Sequence, residues 1–344
     1  MRILFWGTPA FAVPSLRALS DEGFDVVAVV TQPDRPAGRG RRLAPSAVKQ
    51  VALDEGLTVL TPERPRGDEF LELIRGLAPD VSVVVAYGHI LHRAVLDVPR
   101  LGSINLHASL LPELRGAAPI NWAIARGHEQ TGVTVMRMVE AMDAGPILHQ
   151  IAEPILPDET AAELTIRLSE LGAAALVEGL ALLSAGEAEE VEQDEDAATF
   201  APKLDRATAR IDWTRPADEV GRHVRAMDAV PGAWTTLDGV AVKLFRPRPR
   251  PEEYGAASDA SGEDAAPGIM HPPNDHEPGG NGGPPPGRAR GPGEVLETNP
   301  DEGLLVRAGS GSVLFREVQP SGSRRMAMAD WINGRGVAVG QRFE

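Results

Sequence analysis

The chain has 344 residues and no cysteine. That excludes disulfides, a cysteine nucleophile and thiolate metal ligands, and it fits the reducing setting of the cytoplasm. Aromatic residues make up only 4% against 42% hydrophobic residues in all, so the core must be built mainly from Ala, Val, Leu and Ile. The N-terminus enters a strand pattern at Arg2 with no signal-peptide h-region or cleavage site, and no apolar run approaches the length of a membrane span. A cytoplasmic chain with no membrane partner is expected, and a monomer is the simplest assembly. The first strand is followed by Gly7-Thr8-Pro9-Ala10-Phe11. This is not G-x-G-x-x-G, and Pro9 suits the first turn of a helix, which argues against a nicotinamide site. His89 and His92 have no third ligand at metal-binding spacing, so no metal is expected.

Positive charge is also short. The formal net charge is −15, which for the whole chain argues against a nucleic-acid partner. The charge is unevenly spread, however. Residues 1–205 hold 17 basic against 30 acidic side chains, and residues 206–344 hold 17 against 19. Part of the acid lies in one run, Glu187 to Asp196, which reads as a solvated, flexible stretch. Local basic patches remain open.

The first part of the chain alternates strand and helix patterns. Strands are expected at 2–7, 25–31, 58–60, 81–87, 103–106 and 133–138, with helices at 10–21, 46–56, 68–77 and 118–126. The pattern predicts an α/β fold with a Rossmann-like, mostly parallel sheet covered by helices on both faces. Ligands of such sheets bind beyond the carboxyl ends of the strands, where Tyr87-Gly88, Asn105 to His107 and the turn at Asp143 are expected to lie. A long Ala/Leu helix at 160–184 closes this domain, assigned to residues 1–186. Residues 187–208 read as a linker. Residues 209–344 show one helix at 217–227 and short strands at 233–237, 240–245, 293–297, 304–307 and 312–318, the pattern of a small β-barrel. Residues 247–292, crowded with Pro, Gly and acid, read as a disordered insertion in that domain.

The most informative stretch is Ser103-Ile-Asn-Leu-His-Ala-Ser-Leu-Leu-Pro-Glu-Leu-Arg-Gly116. Alternation along a strand puts Asn105 and His107 on one face. A carboxamide beside an imidazole can polarise a carbonyl and move a proton, and Asp143 supplies a carboxylate in Met142-Asp143-Ala144-Gly145-Pro146. This set suits acyl transfer without a nucleophilic side chain; the plainer alternative is a polar cluster capping strand ends. Small residues at Ala108, Ser109, Ala117 and Ala118 leave space for a substrate, and Leu110-Leu111-Pro112 suits an apolar wall. A second stretch, Gln32 to Leu43, carries Arg35, Arg39, Arg41 and Arg42 together with two glycines. On composition alone it serves either phosphate contact or solubility.

These residues resemble the folate-dependent formyltransferases. The resemblance rests on Asn105-x-His107-x-Ser109-Leu-Leu-Pro112, Arg115-Gly116-Ala-Ala-Pro119 and Asp143-Ala-Gly145. Gly7-Thr8-Pro9-x-Phe11-Ala12, the loop from Thr31 to Gly40, and Ala209 to Trp213, Pro231 to Thr235 and Val242 to Leu244 narrow it to members that act on aminoacylated tRNA. The resemblance covers nearly the whole chain apart from 247–292. It implies transfer of the formyl group of 10-formyltetrahydrofolate to the α-amino group of methionine on initiator methionyl-tRNA. It implies Asn105, His107 and Asp143 as the catalytic set, and a folate site at Ser109, Leu110, Leu111 and Pro112 with Tyr87 and Gly88. It further implies tRNA contact through Arg35, Arg39, Arg41 and Arg42, and an OB-like, tRNA-binding C-terminal domain.

Overall fold

The computed structural model describes residues 1–37, 42–251 and 291–344. These form two compact units. The first comprises Met1–Ile211, Arg222–Trp234 and Lys243–Arg246; the second comprises Asp212–Gly221, Thr235–Val242 and Pro247–Glu344.

The strands of the first unit are β1 (Arg2–Gly7), β2 (Asp25–Val30), β3 (Arg35–Ala37), β4 (Arg42–Ala44), β5 (Val59–Leu60), β6 (Val81–Val85), β7 (Ser103–His107), β8 (Arg115–Gly116), β9 (Gln130–Arg137), β10 (Ile147–Pro154) and β11 (Phe200–Ala201). Its helices are α1 (Val13–Asp21), α2 (Ala47–Asp54), α3 (Asp68–Gly76), α4 (Arg93–Leu96), α5 (Pro119–Arg126) and α6 (Ala161–Ala185). Seven strands form one sheet in the order β10-β9-β7-β6-β1-β2-β5. The pairs among β5, β2, β1, β6 and β7 are parallel. The run Val81–Val85 is buried at every position, as expected of a central strand covered on both faces. On one face Leu4, Trp6, Val30 and Val84 pack with Ile74 of α3 and Val95 and Leu96 of α4.

Two features depart from the sequence reading. Strand β9 runs antiparallel to β7, and β10, which the sequence did not suggest, pairs antiparallel with β9 at the sheet edge. The carboxyl end of β9 therefore lies level with Ile104 rather than with His107, and the segment carrying Asp143 is a loop between two antiparallel strands. Helix α6 also proves long and apolar enough to cross a membrane by length and composition, alone among the helices of the described residues. It packs on β9, β10 and α1 and buries Leu164, Leu168, Leu176 and Leu180, so it is a core helix. A capping box starts it. The Thr160 hydroxyl accepts from the Glu163 N–H, and the Glu163 carboxylate accepts from the Thr160 N–H.

The remaining elements are α7 (Ala217–Met227), β12 (Trp234–Leu237), β13 (Val240–Arg250), β14 (Val295–Asn299), β15 (Gly303–Arg307), β16 (Ser312–Pro320), β17 (Met326–Ala327) and α8 (Met328–Asn333). The strands form one sheet in the order β12-β13-β16-β15-β14, with β17 on β16. The pairings β14–β15, β15–β16 and β16–β17 are antiparallel. In the second unit Trp213 stacks on Phe343 and meets Phe315 edge-on, and its indole N–H donates to the Thr235 hydroxyl. Pro247 to Arg250 belong to β13, so the strand continues into the segment read as an insertion from 247 to 292. Residues 252–290 of that segment lie outside the described residues.

Candidate active site

Strand β7 ends with Asn105 and His107 on the same face, as two-residue alternation requires. His107 is buried, and its Nε2 lies 3.0 Å from the Leu114 carbonyl oxygen. A carbonyl oxygen can only accept, so Nε2 carries the hydrogen. Nδ1 then faces the Asp143 carboxylate, with Oδ2 at 3.7 Å. The same Oδ2 accepts a hydrogen bond of 2.8 Å from the Gly116 N–H. Gly116 has φ +120°, and a Cβ there would meet the Ala201 carbonyl oxygen. Glycine is thus what lets this backbone N–H reach the carboxylate. Asn105 is half-buried, and its carboxamide has no hydrogen-bond partner among the described residues.

These three residues line a cavity of about 520 Å³, a size typical of small-molecule sites. Its walls include Phe11, Val84, Leu106, Ile120 and Met138, and the Ala86 to His89 segment after β6. Tyr87 and Gly88 therefore stand where the sequence expected a ligand wall. Tyr87 is almost wholly buried and sits edge-on to Trp6, with ring centroids 5.2 Å apart. Burial pushes its phenol up to about 12.

Ser109, Leu110, Leu111 and Pro112 are placed elsewhere. None of them lines the cavity. The Ser109 hydroxyl donates to the Glu113 carbonyl, and the Ser109 carbonyl accepts from the Thr134 hydroxyl. The Leu111 N–H donates to that same Thr134 oxygen, and the Leu111 carbonyl accepts from the Gln150 amide. The segment is bound to β9 and β10, because the antiparallel edge that the sequence did not reveal supplies its partners. It leads the chain to Leu114, whose carbonyl holds the His107 ring.

The described ends of the arginine loop are two short antiparallel strands in which Arg35 pairs opposite Ala44 and Ala37 opposite Arg42. Arg35 and Arg42 are exposed, and among the described residues neither forms an ion pair. Arg39 and Arg41 lie outside the described residues.

The acidic run Glu187 to Asp196 is not a free stretch. Val191 exchanges backbone hydrogen bonds with Ile147. Glu190 pairs with Arg137 at 2.8 Å and Glu195 with Arg115 at 2.9 Å. Gln193 is buried. The partners lie about 50 to 80 positions earlier in the chain, beyond any local pattern, and a single glutamine among acids carried the only signal.

Residues 1–180 match the family model described as formyl transferase, and residues 203–336 match formyl transferase, C-terminal domain. The chain is 42% identical over 343 residues to methionyl-tRNA formyltransferase of Geobacter sulfurreducens, covering 100% of this chain and 96% of the relative. It is 44% identical over 343 residues to methionyl-tRNA formyltransferase of Symbiobacterium thermophilum, covering 100% and 95%. Among solved structures, HypX of Aquifex aeolicus in complex with tetrahydrofolic acid shares the fold with a TM-score of 0.60 at 20% identity. That match covers 98% of this chain, which spans 48% of the HypX chain.

Proposed function

Because the chain belongs to the formyl transferase family, we propose that it moves the formyl group of 10-formyltetrahydrofolate to the α-amino group of methionine on initiator methionyl-tRNA. The observation that carries this reading is the meeting of Asn105, His107 and Asp143 on the wall of one cavity. The apolar lining of Phe11, Val84, Leu106, Ile120 and Met138 suits a heteroaromatic carrier. Tyr87 and Gly88 are assigned to the folate site, and Ser109 to Pro112 to fixing the wall behind His107.

The chemistry follows from the groups present. An α-amino group has a reference pKa of about 7.7–8.0, so a useful fraction is neutral near pH 7. Asn105, whose amide is uncommitted, donates an N–H to the oxyanion that develops on the formyl oxygen as the amine attacks the formyl carbon. Such a donor is worth about 3 kcal/mol in a well-formed site. His107 already carries a hydrogen on Nε2, so Nδ1 is its basic nitrogen. His107 takes the proton from the attacking amine and returns it to the departing folate nitrogen. Asp143 orients the ring and stabilises the imidazolium that forms in between. No covalent link to the protein is needed.

The tRNA side of the reading is supported by the full-length identity to relatives of that name and by local positive charge. Arg35 and Arg42 present guanidinium groups with no ion pair among the described residues, and Arg39 and Arg41 belong to the same loop in sequence. In the second unit Arg248, Arg250 and Arg316 line a surface cavity of about 420 Å³ with Glu302. Glu302 pairs with Arg250, and neither Arg248 nor Arg316 has an ion pair among the described residues. Two free guanidinium groups on neighbouring strands suit an RNA backbone.

The test is formylation of charged initiator and elongator methionine tRNAs with 10-formyltetrahydrofolate as donor. Formyl-methionine on the initiator tRNA is expected. Transfer to neither tRNA, with transfer instead to the amine of a nucleotide sugar, would overturn the reading.

A further inference from the structure

We propose that Gln193 is a positioning residue for this reaction, acting by clamping the backbone of the loop that presents Asp143. The inference rests on the reading of Asp143 as part of the catalytic set.

The clamp is built from one fully used amide. The Gln193 Nε2 donates to the Asp143 carbonyl at 2.9 Å and to the Gly145 carbonyl at 2.8 Å. Its Oε1 accepts from the Arg115 Nε at 3.0 Å and from Nη2 at 2.8 Å. Gln193 is buried, although its neighbours Glu192 and Asp194 are exposed. A buried primary amide is costly unless both its ends are satisfied, and here both are.

The loop needs such a clamp. Asp143 adopts φ +53°, a region that side chains other than glycine seldom occupy and that persists where the surroundings over-determine it. Two residues on, a Cβ at Gly145 would fall on the Arg137 carbonyl oxygen, so the loop lies flush on β9 with no room to settle differently. Gln193 grips the carbonyls on either side of Ala144. The Gly116 N–H grips the carboxylate. Together they fix where Oδ2 stands relative to His107.

Arg115 in turn fixes the glutamine. Its guanidinium is 4% exposed and bound in a bidentate pair by Glu195, with both N–O distances 2.9 Å. Its own backbone is held by the parallel pairing of β8 with β11. Arg115, Gln193 and the Asp143 loop thus form one continuous hydrogen-bonded chain that ends at the site.

The discriminating substitution is Gln193→Glu. It keeps the size and the bond to Arg115 but places a carboxylate oxygen against two carbonyl oxygens, so the loop is released and little else changes. The experiment measures kcat and KM for both substrates, and thermal unfolding, in Gln193→Glu, Gln193→Met, Asp143→Ala and the double variant Gln193→Glu/Asp143→Ala. The expected result for either Gln193 variant is a fall in kcat of about 10²-fold, the size of effect that a misplacement of about 1 Å produces, with both KM values nearly unchanged. In the Asp143→Ala background Gln193→Glu should then change kcat less than about twofold, because residues that act through one another are not additive. Full multiplication of the two losses would overturn the inference, as would failure of both Gln193 variants to fold. Loss in Asp143→Ala with wild-type rates in Gln193→Glu would overturn the inference alone and leave Asp143 in the catalytic set. Wild-type rates in every variant would overturn the catalytic reading as well.

Discussion

The two ring nitrogens of His107 have different partners. Nε2 is committed to a backbone carbonyl and Nδ1 faces a carboxylate, which leaves one nitrogen to move a proton. The Asn105 carboxamide makes no internal hydrogen bond among the described residues, so its removal should leave the fold intact. Asn105→Ala is expected to lower kcat by about 10²–10³-fold, with an unchanged unfolding midpoint and unchanged tRNA affinity in a binding titration. Tyr87 offers a separate check on the cavity wall. A phenol raised to about 12 by burial stays protonated in the folded protein while an unfolded chain would ionise near pH 10. Its contribution to stability is present below about pH 10 and lost as the pH rises towards 12. The chain has two tyrosines, so the Tyr254→Phe variant isolates Tyr87. Its phenolate absorbance should appear about two pH units above that of a free tyrosine. At this scale the meeting of Asn105, His107 and Asp143 at one cavity was legible, because Asn105 and His107 share a strand and Asp143 sits in a short distinctive turn. Gln193 was not, since its meaning depends on carbonyl groups some 50 residues away.

Elements were legible where their periodicity is local. The buried run Val81–Val85 and the amphipathic helices announce themselves in the sequence. The long helix was read at 160–184, and the structure adds the capping box at Thr160 that starts α6. Thr160→Ala should destabilise the first unit by about 1 kcal/mol, read as a lower urea midpoint. The backbone N–H of Thr160 is the foremost cause holding the Glu163 carboxyl below its ordinary range, and the Arg246 guanidinium adds to it. That stabilisation is complete above the unfolded carboxylate range and fades as the pH falls through the lowered value. Glu163→Gln should therefore flatten the acid limb of the stability profile below about pH 4.5. Strand direction was not legible. Nothing in Gln130–Arg137 tells a reader that β9 runs against its neighbour, and the exposed alternation of Ile147–Pro154 at the sheet edge is weak beside the valine runs. That missing edge is why the sequence did not suggest the hydrogen bonds that tie Ser109 and Leu111 to Thr134 and Gln150.

Across the whole molecule, a net charge of −15 opposes an RNA partner at long range, so the proposed tRNA contact is assigned to local clusters of arginine. Composition alone could not separate such clusters from solvated surface. Arg115 and Arg137 are paired with the acidic run, whereas Arg35, Arg42, Arg248 and Arg316 form no ion pair among the described residues. Arg248→Ser together with Arg316→Ser should weaken tRNA binding and lower the slope of log K against log salt by about one for each phosphate no longer neutralised, with single-turnover formylation of bound tRNA unchanged. An unaltered slope would remove this face of the sheet from the interface.

The central claim is that one imidazole, set between an amide and a carboxylate, carries the proton of formyl transfer. It is tested most directly by single-turnover formylation of initiator methionyl-tRNA by His107→Ala, with tRNA affinity measured on the same protein. The expected result is a fall of about 10²–10⁴-fold in rate at nearly wild-type affinity. A wild-type rate, or a loss of affinity large enough to account for the whole effect, would contradict it.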